Sequence, residues 1–203
     1  MIAWSIAAAQ SAGCFDRILV STDDEEIAAV AASHGAEVPF LRPAQLADDQ
    51  ATTQAVVLHT VQWCEQQGWP VDAVCCLYAT APFVQPADLA EASRLLDQAP
   101  PQSFVFTATS FPFPIQRAIR IDAQGRASMF EPKHFNTRSQ DLEEAFHDAG
   151  QFYWARPQAW ASTQNLFDEG RPLLLPRWRV QDIDTEEDWK RAELLHQILE
   201  LQP

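Results

Sequence analysis

Glycine and basic residues are both scarce in this chain. Only six glycines occur in 203 residues, and no G-x-G-x-x-G, G-x-x-x-x-G-K-[ST] or G-x-S-x-G pattern is present. A glycine-rich loop that cradles a triphosphate is therefore excluded. The 14 basic residues face 28 acidic ones, and the formal net charge of −14 repels nucleic acid and anionic membranes. We expect neither as a partner.

Long apolar runs and metal-type spacings of cysteine or histidine are also missing. No stretch reaches the roughly 18 apolar residues of a membrane span. The first twelve residues lack the positive start of a signal peptide, so we expect a cytoplasmic protein. The four cysteines show no C-x-x-C spacing and the five histidines no H-x-x-x-H spacing. Buried, reduced thiols are expected, and zinc chemistry is disfavoured.

The sequence that is present alternates between strand-like and helix-like segments. Residues 17–22, 73–78 and 103–108 are short apolar runs of strand type, with another extended segment at 36–40. Helical patterns cover residues 1–12, 24–34, 52–67, 86–99 and 185–201, and residues 178–184 (WRVQDID) predict a last strand. This alternation predicts a single α/β domain over residues 1–203, with a doubly wound, mostly parallel sheet.

The segment 112–148 departs from this alternation. Two short extended pieces, AIRID and RASMF, flank the turn AQG, and a long polar stretch follows. We predict a hairpin with a long arm here, and not a further βαβ unit.

Asp182 and Asp184 form the sharpest candidate site, because ligands of open α/β sheets bind beyond the carboxyl ends of the strands. Two residues apart in an extended segment, the carboxylates face the same way while Ile183 faces the core. Oxygen ligands of this kind suit Mg²⁺ that bridges to phosphates. The alternative is that Asp184 caps the following helix, with Glu187 or Asp188 closing a capping box. Both roles can hold at once.

Three other features give weaker signals. Arg42, in the turn-rich LRPAQLADD, is either a ligand for a base edge or phosphate, or a solvated surface residue. Thr52 and Thr53 begin a helix, and they are caps first and ligand hydroxyls second. Tyr153 lies in the apolar run FYW, most simply a core strand, but its hydroxyl can turn towards a site.

Four stretches, in this order and at suitable distances, together resemble one known family. They are FDRILVSTDDEEIAAVAASHGAEVPFLRPAQLADD, LYATAPF, EEAFHDAGQFYWA and DIDTEEDWKRAELL. The resemblance spans essentially the whole chain and is to the CMP-sialic acid synthetase group, the cytidylyltransferases that activate nine-carbon acid sugars. The TAPF and FHDAGQFYW forms are most similar to the branch that acts on pseudaminic acid for flagellin and surface glycosylation.

This resemblance implies a fold, a reaction and a set of nucleotide-binding residues. The fold is the Rossmann-like sheet of nucleotide-diphospho-sugar transferases, and the reaction turns CTP and the sugar acid into CMP-sugar and pyrophosphate with Mg²⁺. By position, Asp182 and Asp184 match the family's metal-binding pair. Arg42 matches a cytidine-binding arginine, and Ala51 and Thr53 match residues that line the cytosine pocket.

The resemblance also implies a sugar side and a partner. Thr80 lies in the loop that holds sugar and nucleotide, and Tyr153 matches an aromatic residue facing the sugar. The chain departs from the sialic acid members at Tyr78 and at the stretch HDAG, where the sugar lies, so we expect His147, Gln151 and Tyr153 to bind it. Residues 130–146 resemble the segment through which family members dimerise and close the neighbour's sugar pocket, which predicts a homodimer.

Three alternative functions and one expectation about activity accompany this interpretation. The alternatives are a synthetase for sialic, legionaminic or Kdo sugars, a non-catalytic dimerising remnant, and sugar-1-phosphate nucleotidylylation. In the family, a strand and an A-R-x-x-S-K loop that grips the triphosphate precede the equivalent of Met1. We therefore expect the 203-residue chain to turn over CTP poorly, and a version with those upstream residues to be competent.

Overall fold

The computed structural model describes residues 1–48, 50–162 and 165–200. Its longer helices are α1 (Ile2–Ala12), α2 (Glu25–Ser33), α3 (Thr53–Gln66), α4 (Pro86–Asp97), α5 (Pro157–Ser162) and α6 (Glu186–Glu200). Its strands are β1 (Val74–Leu77), β2 (Val105–Ser110), β3 (Ile119–Ile121), β4 (Ala127–Met129), β5 (Phe146–Ala155) and β6 (Arg171–Leu174).

Four of these strands form the central sheet, in the order β1-β5-β2-β6. β2 and β6 are parallel, but β5 runs antiparallel to both β1 and β2. The predicted α/β class is confirmed, whereas the sheet is mixed where a mostly parallel one was predicted. The reason is local. The chain leaves the sheet at the end of β2, passes through the arm and returns as β5 beside β2, and neighbouring antiparallel strands need no helical crossover.

Helices cover both faces of this sheet. On one face, α1 and α4 pack over Val105, Phe152 and Trp154. On the other face, α3 and α5 pack over Phe106 and Tyr153. Successive β5 side chains thus enter opposite cores, as the two-residue period of a strand requires. Within the described residues, no helix is long and apolar enough to cross a membrane.

The predicted hairpin of the arm is present. β3 and β4 pair antiparallel, with Ile119 opposite Met129. Asp122 closes the turn, because its carboxylate accepts the backbone N–H groups of Gln124 and Arg126, each at 2.9 Å. β5 begins inside the segment 112–148, at Phe146, so the last residues of that segment pair with β2.

Helix signals in the sequence are accurate near the amino-terminal end. Asp24 caps α2 by accepting the N–H of Ile27 at 2.9 Å, at the start of the predicted helical range 24–34. The flanking extended segments meet in two parallel bridges, Leu19 with Glu37 and Thr22 with Leu41. Residues 17–22 thus form bridges and not a full strand in the described part of the chain.

The predicted strand at residues 178–184 is wrong. Arg177–Arg179 is a 3-10 turn that begins after Pro176, and the described residues after it pair with no strand. The last strand is instead β6, at the edge of the sheet. Its Pro172 hides it in the sequence, since proline is tolerated only in edge strands. α6 follows as predicted, although the predicted end at Leu201 lies outside the described residues.

Candidate functional site

Arg42 is anchored beside the bridge between residues 22 and 41. Its backbone N–H donates to the Thr22 carbonyl at 2.7 Å, and its guanidinium donates to the Ser21 hydroxyl at 3.2 Å and to the Ser21 carbonyl. The side chain is half-buried. Burial raises the pKa of the Cys76 thiol to about 12, and the positive charge of Arg42 opposes that rise. Arg42 is therefore not a freely solvated surface residue.

Ala51 and Thr53 lie at the start of α3. Thr52 is the cap, because its hydroxyl accepts the N–H of Ala55 at 3.2 Å. That leaves the Thr53 hydroxyl free of the capping role, and it shares a hydrogen bond of 3.1 Å with the Tyr78 hydroxyl. Ala51 is half-buried just before the helix. The loop before α3 thus faces the end of β1.

A polar network continues from Tyr78 into β5. The rings of Tyr78 and Tyr153 meet edge to face, with centroids 5.6 Å apart. Tyr153 is only 5% exposed, and its hydroxyl donates to the Asp148 carboxylate. Burial and this hydrogen bond raise the pKa of Tyr153 far above its usual value of 10. The hydroxyl is therefore a fixed donor and not a base.

Asp148 lies at an irregularity in β5 that changes the direction of the strand. Between the Phe106–Tyr153 and Ala108–Asp148 pairs, β5 contains more residues than β2, and Gly150 takes φ +62°. The Asp148 carboxylate accepts the Gly150 N–H at 2.9 Å. Bulges of this kind re-aim side chains next to sites. The irregularity thus determines where the neighbouring side chains point.

His147 and Gln151 flank this irregularity and differ in accessibility. The His147 ring is half-buried against Phe111, and its Nδ1 donates to the Asp148 carbonyl at 2.8 Å. Gln151 is 3% exposed, and its Nε2 donates to the backbone carbonyl of Arg179 at 2.8 Å. Gln151 therefore contacts the segment that leads to Asp182, while His147 remains partly accessible.

Thr80 lies in the turn that follows β1. The N–H of Ala81 donates to the Tyr78 carbonyl at 3.3 Å, which closes the turn, and Thr80 is exposed at its tip. Pro82 and Phe83 come next and line a cavity of about 120 Å³ together with Ile183. The loop that carries Thr80 and the segment that carries the two aspartates therefore converge on the same cavity.

Asp182 and Asp184 are both exposed, whereas Ile183 between them is half-buried. The predicted alternation survives although the predicted strand does not. Asp184 is not the helix cap: the Thr185 hydroxyl accepts the N–H of Asp188 at 3.2 Å and donates to the Asp188 carboxylate at 2.7 Å. Of the two residues predicted to close a capping box on Asp184, Asp188 does close one, but its partner is Thr185 and not Asp184. In the described part of the chain, neither Asp182 nor Asp184 uses its carboxylate for a hydrogen bond or ion pair.

The structure thus assembles part of the predicted site. Thr53 and Tyr153 belong to one network through Tyr78 and Asp148. Among the described residues, no hydrogen bond or ring contact joins this network to Asp182 or Asp184, and no group of three or more His, Cys, Asp or Glu side chains could hold a metal ion. Asp148, which belongs to this network, was not among the residues selected from the sequence, although the stretch HDAG was a visible departure from the sialic acid members.

Comparisons with known proteins point in one direction. Residues 1–151 match the family described as Cytidylyltransferase. The chain is 41% identical over 199 residues to the pseudaminic acid cytidylyltransferase of Campylobacter jejuni subsp. jejuni serotype O:23/36 (strain 81-176), covering 98% of this chain and 85% of that protein. It is 30% identical over 206 residues to the CMP-N,N'-diacetyllegionaminic acid synthase of Legionella pneumophila subsp. pneumophila (strain Philadelphia 1), covering 98% and 85%.

A solved structure shares the fold. The chain superposes on CMP:2-keto-3-deoxy-manno-octonic acid synthetase, determined in complex with CTP, with a TM-score of 0.61. The alignment covers 95% of this chain and 88% of that one, at 12% sequence identity. At that identity the likeness concerns the fold alone.

Proposed function

The chain belongs to the cytidylyltransferase family, and from this premise we propose that it transfers the cytidylyl group of CTP to pseudaminic acid. The observation that carries the proposal is the 41% identity, over 98% of this chain, to a protein with that name. In the reaction, an oxygen of the sugar's anomeric hydroxyl bonds to the α-phosphorus of CTP. The bond from that phosphorus to the bridging oxygen breaks, pyrophosphate leaves, and the hydroxyl proton is released.

The nucleotide side of the site is proposed to be the loop before α3. Arg42, Ala51 and Thr53 would bind the cytidine, with Thr80 at the tip of the neighbouring turn. Two features support this assignment: Arg42 is held in place by Ser21, and the Thr53 hydroxyl is turned towards Tyr78 and not used as a cap. A preorganised guanidinium loses little freedom when it binds a ligand.

The sugar side is proposed to lie at the β5 irregularity. His147 is the partly accessible member and would contact the sugar directly. Tyr153 and Gln151 are almost fully buried, so they would shape the floor of the pocket. Asp148 joins them, because it fixes the Tyr153 hydroxyl and the Gly150 backbone at once.

Asp182 and Asp184 are proposed to hold Mg²⁺. The donor set fits, since the ion is typically bound by one or two carboxylates together with substrate phosphates, and both carboxylates are exposed and free of internal bonds in the described residues. A bound Mg²⁺ would offset the negative charge of the triphosphate. The same pair of acidic residues, left without a cation, would repel CTP.

Pyrophosphate release tests the proposal. The 203-residue chain is assayed with CTP, Mg²⁺ and, separately, pseudaminic, N-acetylneuraminic, legionaminic and Kdo acids. We expect slow but measurable release with pseudaminic acid, loss of at least about 100-fold in kcat/KM for Asp182→Asn, and no loss for Asp72→Asn, an exposed aspartate before β1. Preference for another sugar would overturn the substrate, and no release with any of the four would overturn the activity.

We also propose that residues 112–145 form an arm that is covered by a second copy of this chain. Large apolar side chains of this segment are exposed to water, with Phe113 the most exposed at 80%. The others are Ile115, Ile119, Ile121, Phe130 and Phe135. So many exposed large apolar side chains on one segment are typical of an interface.

A further inference from the structure

The segment of residues 180–184 carries both proposed metal ligands, yet it forms no helix and pairs with no strand in the described part of the chain. Exposed carboxylates on such a segment sample many positions, and ordering them on a cation costs conformational entropy. A precise site therefore requires that the ends of this segment are fixed by other contacts. Side-chain contacts fix both ends of the segment.

The amino-terminal end is fixed by the side chain of Arg179. Its guanidinium forms an ion pair with Asp88, with Nη1–Oδ2 at 2.6 Å and Nη2–Oδ1 at 3.4 Å. Both side chains are largely buried, 15% and 17% exposed. Asp88 lies in the first turn of α4, next to Leu89, which is fully buried in the core. The ion pair thus connects the segment to a rigid helix.

The backbone of Arg179 is fixed by β5. The carbonyl of Arg179 accepts the hydrogen bond from Gln151 Nε2 at 2.8 Å. Gln151 is buried in the sheet beside Phe152, which has no exposed surface. Arg179 is therefore held through both its side chain and its carbonyl, by two different elements of the core.

The carboxyl-terminal end is fixed by the start of α6. Gln181 Nε2 donates to the Asp182 carbonyl at 2.7 Å and to the Asp188 carboxylate at 3.1 Å. Asp188 also accepts from the backbone N–H of Thr185 at 3.0 Å. The two aspartates therefore lie between two anchored points only a few residues apart.

We infer that Arg179, held by Asp88 and Gln151, is a positioning residue that fixes the Asp182 and Asp184 carboxylates for a divalent cation. This inference rests on the proposed function, which makes those carboxylates the metal ligands. Residues outside the ligand set that orient the ligands commonly change metal affinity 10- to 100-fold. In this role Arg179 acts through the backbone of the segment, because its guanidinium is bound by Asp88.

A competing role for Arg179 is direct binding of the triphosphate. The two roles predict opposite effects of Asp88. If Arg179 bound phosphates, Asp88→Asn would release the guanidinium and strengthen CTP binding. If Arg179 positions the aspartates, Asp88→Asn would loosen the segment and weaken metal binding as much as Arg179→Gln does.

The test is the affinity for Mn²⁺ in the presence of CTP, followed by electron paramagnetic resonance. Mn²⁺ takes the same oxygen ligands as Mg²⁺. We expect Arg179→Gln and Asp88→Asn each to weaken Mn²⁺ binding about 10-fold, and the double variant to be no weaker than either, because both remove one interaction. Gln151→Met, which keeps the ion pair, is expected to weaken Mn²⁺ binding by a smaller factor.

The matched control is the ion pair of Arg94 with Glu91, which lies on α4 like Asp88. It has the same closest distance, 2.6 Å, but its side chains are 60% and 39% exposed. Arg94→Gln is expected to leave Mn²⁺ affinity unchanged. CMP binding in EDTA, which measures the cytidine side alone, is expected to be unchanged in every variant, whereas a general loss of structure would weaken it.

The outcomes separate the inference from the proposed function. If Asp182→Asn leaves Mn²⁺ affinity unchanged, the metal site of the proposed function is wrong. If Asp182→Asn weakens Mn²⁺ binding but Arg179→Gln and Asp88→Asn do not, the positioning role is overturned. Tighter CTP binding by Asp88→Asn would also overturn it, in favour of phosphate binding by Arg179.

Discussion

At the scale of single residues, Tyr153 and Asp148 give the candidate site its fixed geometry. The Tyr153 hydroxyl donates to the Asp148 carboxylate, which also accepts the Gly150 N–H, so a movement of Asp148 would leave the buried hydroxyl without its acceptor. A buried hydrogen-bonding group left without a partner costs about 1–3 kcal/mol. The pair therefore holds the β5 irregularity in one conformation before any substrate arrives.

Because of this pair, we expect the free energy of unfolding to decrease with rising pH in the alkaline range. Because the pKa of Tyr153 is raised in the folded protein, the folded state keeps a proton that the unfolded state releases above about pH 10. Stability from this residue is therefore present below pH 10 and lost as the pH rises further. In urea titrations from pH 9 to 11, we expect Tyr153→Phe to remove up to roughly 1.4 kcal/mol per pH unit from the slope of the unfolding free energy. Equal slopes in the two proteins would contradict this.

The residues of the candidate site were only partly visible in the sequence. Arg42, Thr53 and Tyr153 were identified from motifs, and the structure places Thr53 and Tyr153 in one network. Asp148 was not identified, because its contacts depend on extra residues in β5 that no periodic pattern reveals. Arg179 was missed for a similar reason: its partner Asp88 lies 91 residues away.

At the scale of elements, helices were easier to predict than strands. Capping residues such as Asp24 and Thr52 act on atoms three residues away, so their signal is local. Strand pairing is not local, and β6 pairs with β2 across more than sixty residues. Residues 182–184 alternate like a strand because Ile183 lines a cavity between two exposed aspartates, although this stretch belongs to no sheet.

The start of α6 offers a direct test of the corrected cap. Thr185→Ala removes the acceptor for the Asp188 N–H, and we expect a loss of roughly 1 kcal/mol in unfolding free energy. Asp184→Ala, measured in EDTA, is expected to change stability by less than about 0.5 kcal/mol. Thermal or urea unfolding of both variants provides the comparison. A larger loss for Asp184→Ala would restore Asp184 as the cap.

At the scale of the whole molecule, the acidic net charge opposes the association of two copies of the chain, whereas the exposed apolar side chains of the arm favour it. A formal net charge of −14 opposes contact between two copies of the chain. Residues 112–145 nevertheless expose apolar side chains and carry several of the basic residues, among them Arg117, Arg120, Arg126, Lys133 and Arg138. With five acidic residues beside these five basic ones, the arm is close to neutral, so it repels a second acidic copy less than the chain as a whole does and still has apolar area to bury.

The exposed apolar side chains of the arm predict that the chain forms a dimer and that polar substitutions in the arm dissociate it. We expect the chain to sediment as a dimer at micromolar concentration, and the double variant Ile121→Ser, Phe130→Ser to sediment as a monomer. A fully buried side chain of this size contributes about 1.5–3 kcal/mol, and two-fold symmetry counts each one twice, so the dissociation constant should rise by more than about 1,000-fold. Leu194→Ser, at an exposed apolar position on α6, is the control and is expected to remain dimeric. A monomeric wild-type chain, or a double variant that still dimerises, would show that the exposed side chains of the arm serve another purpose.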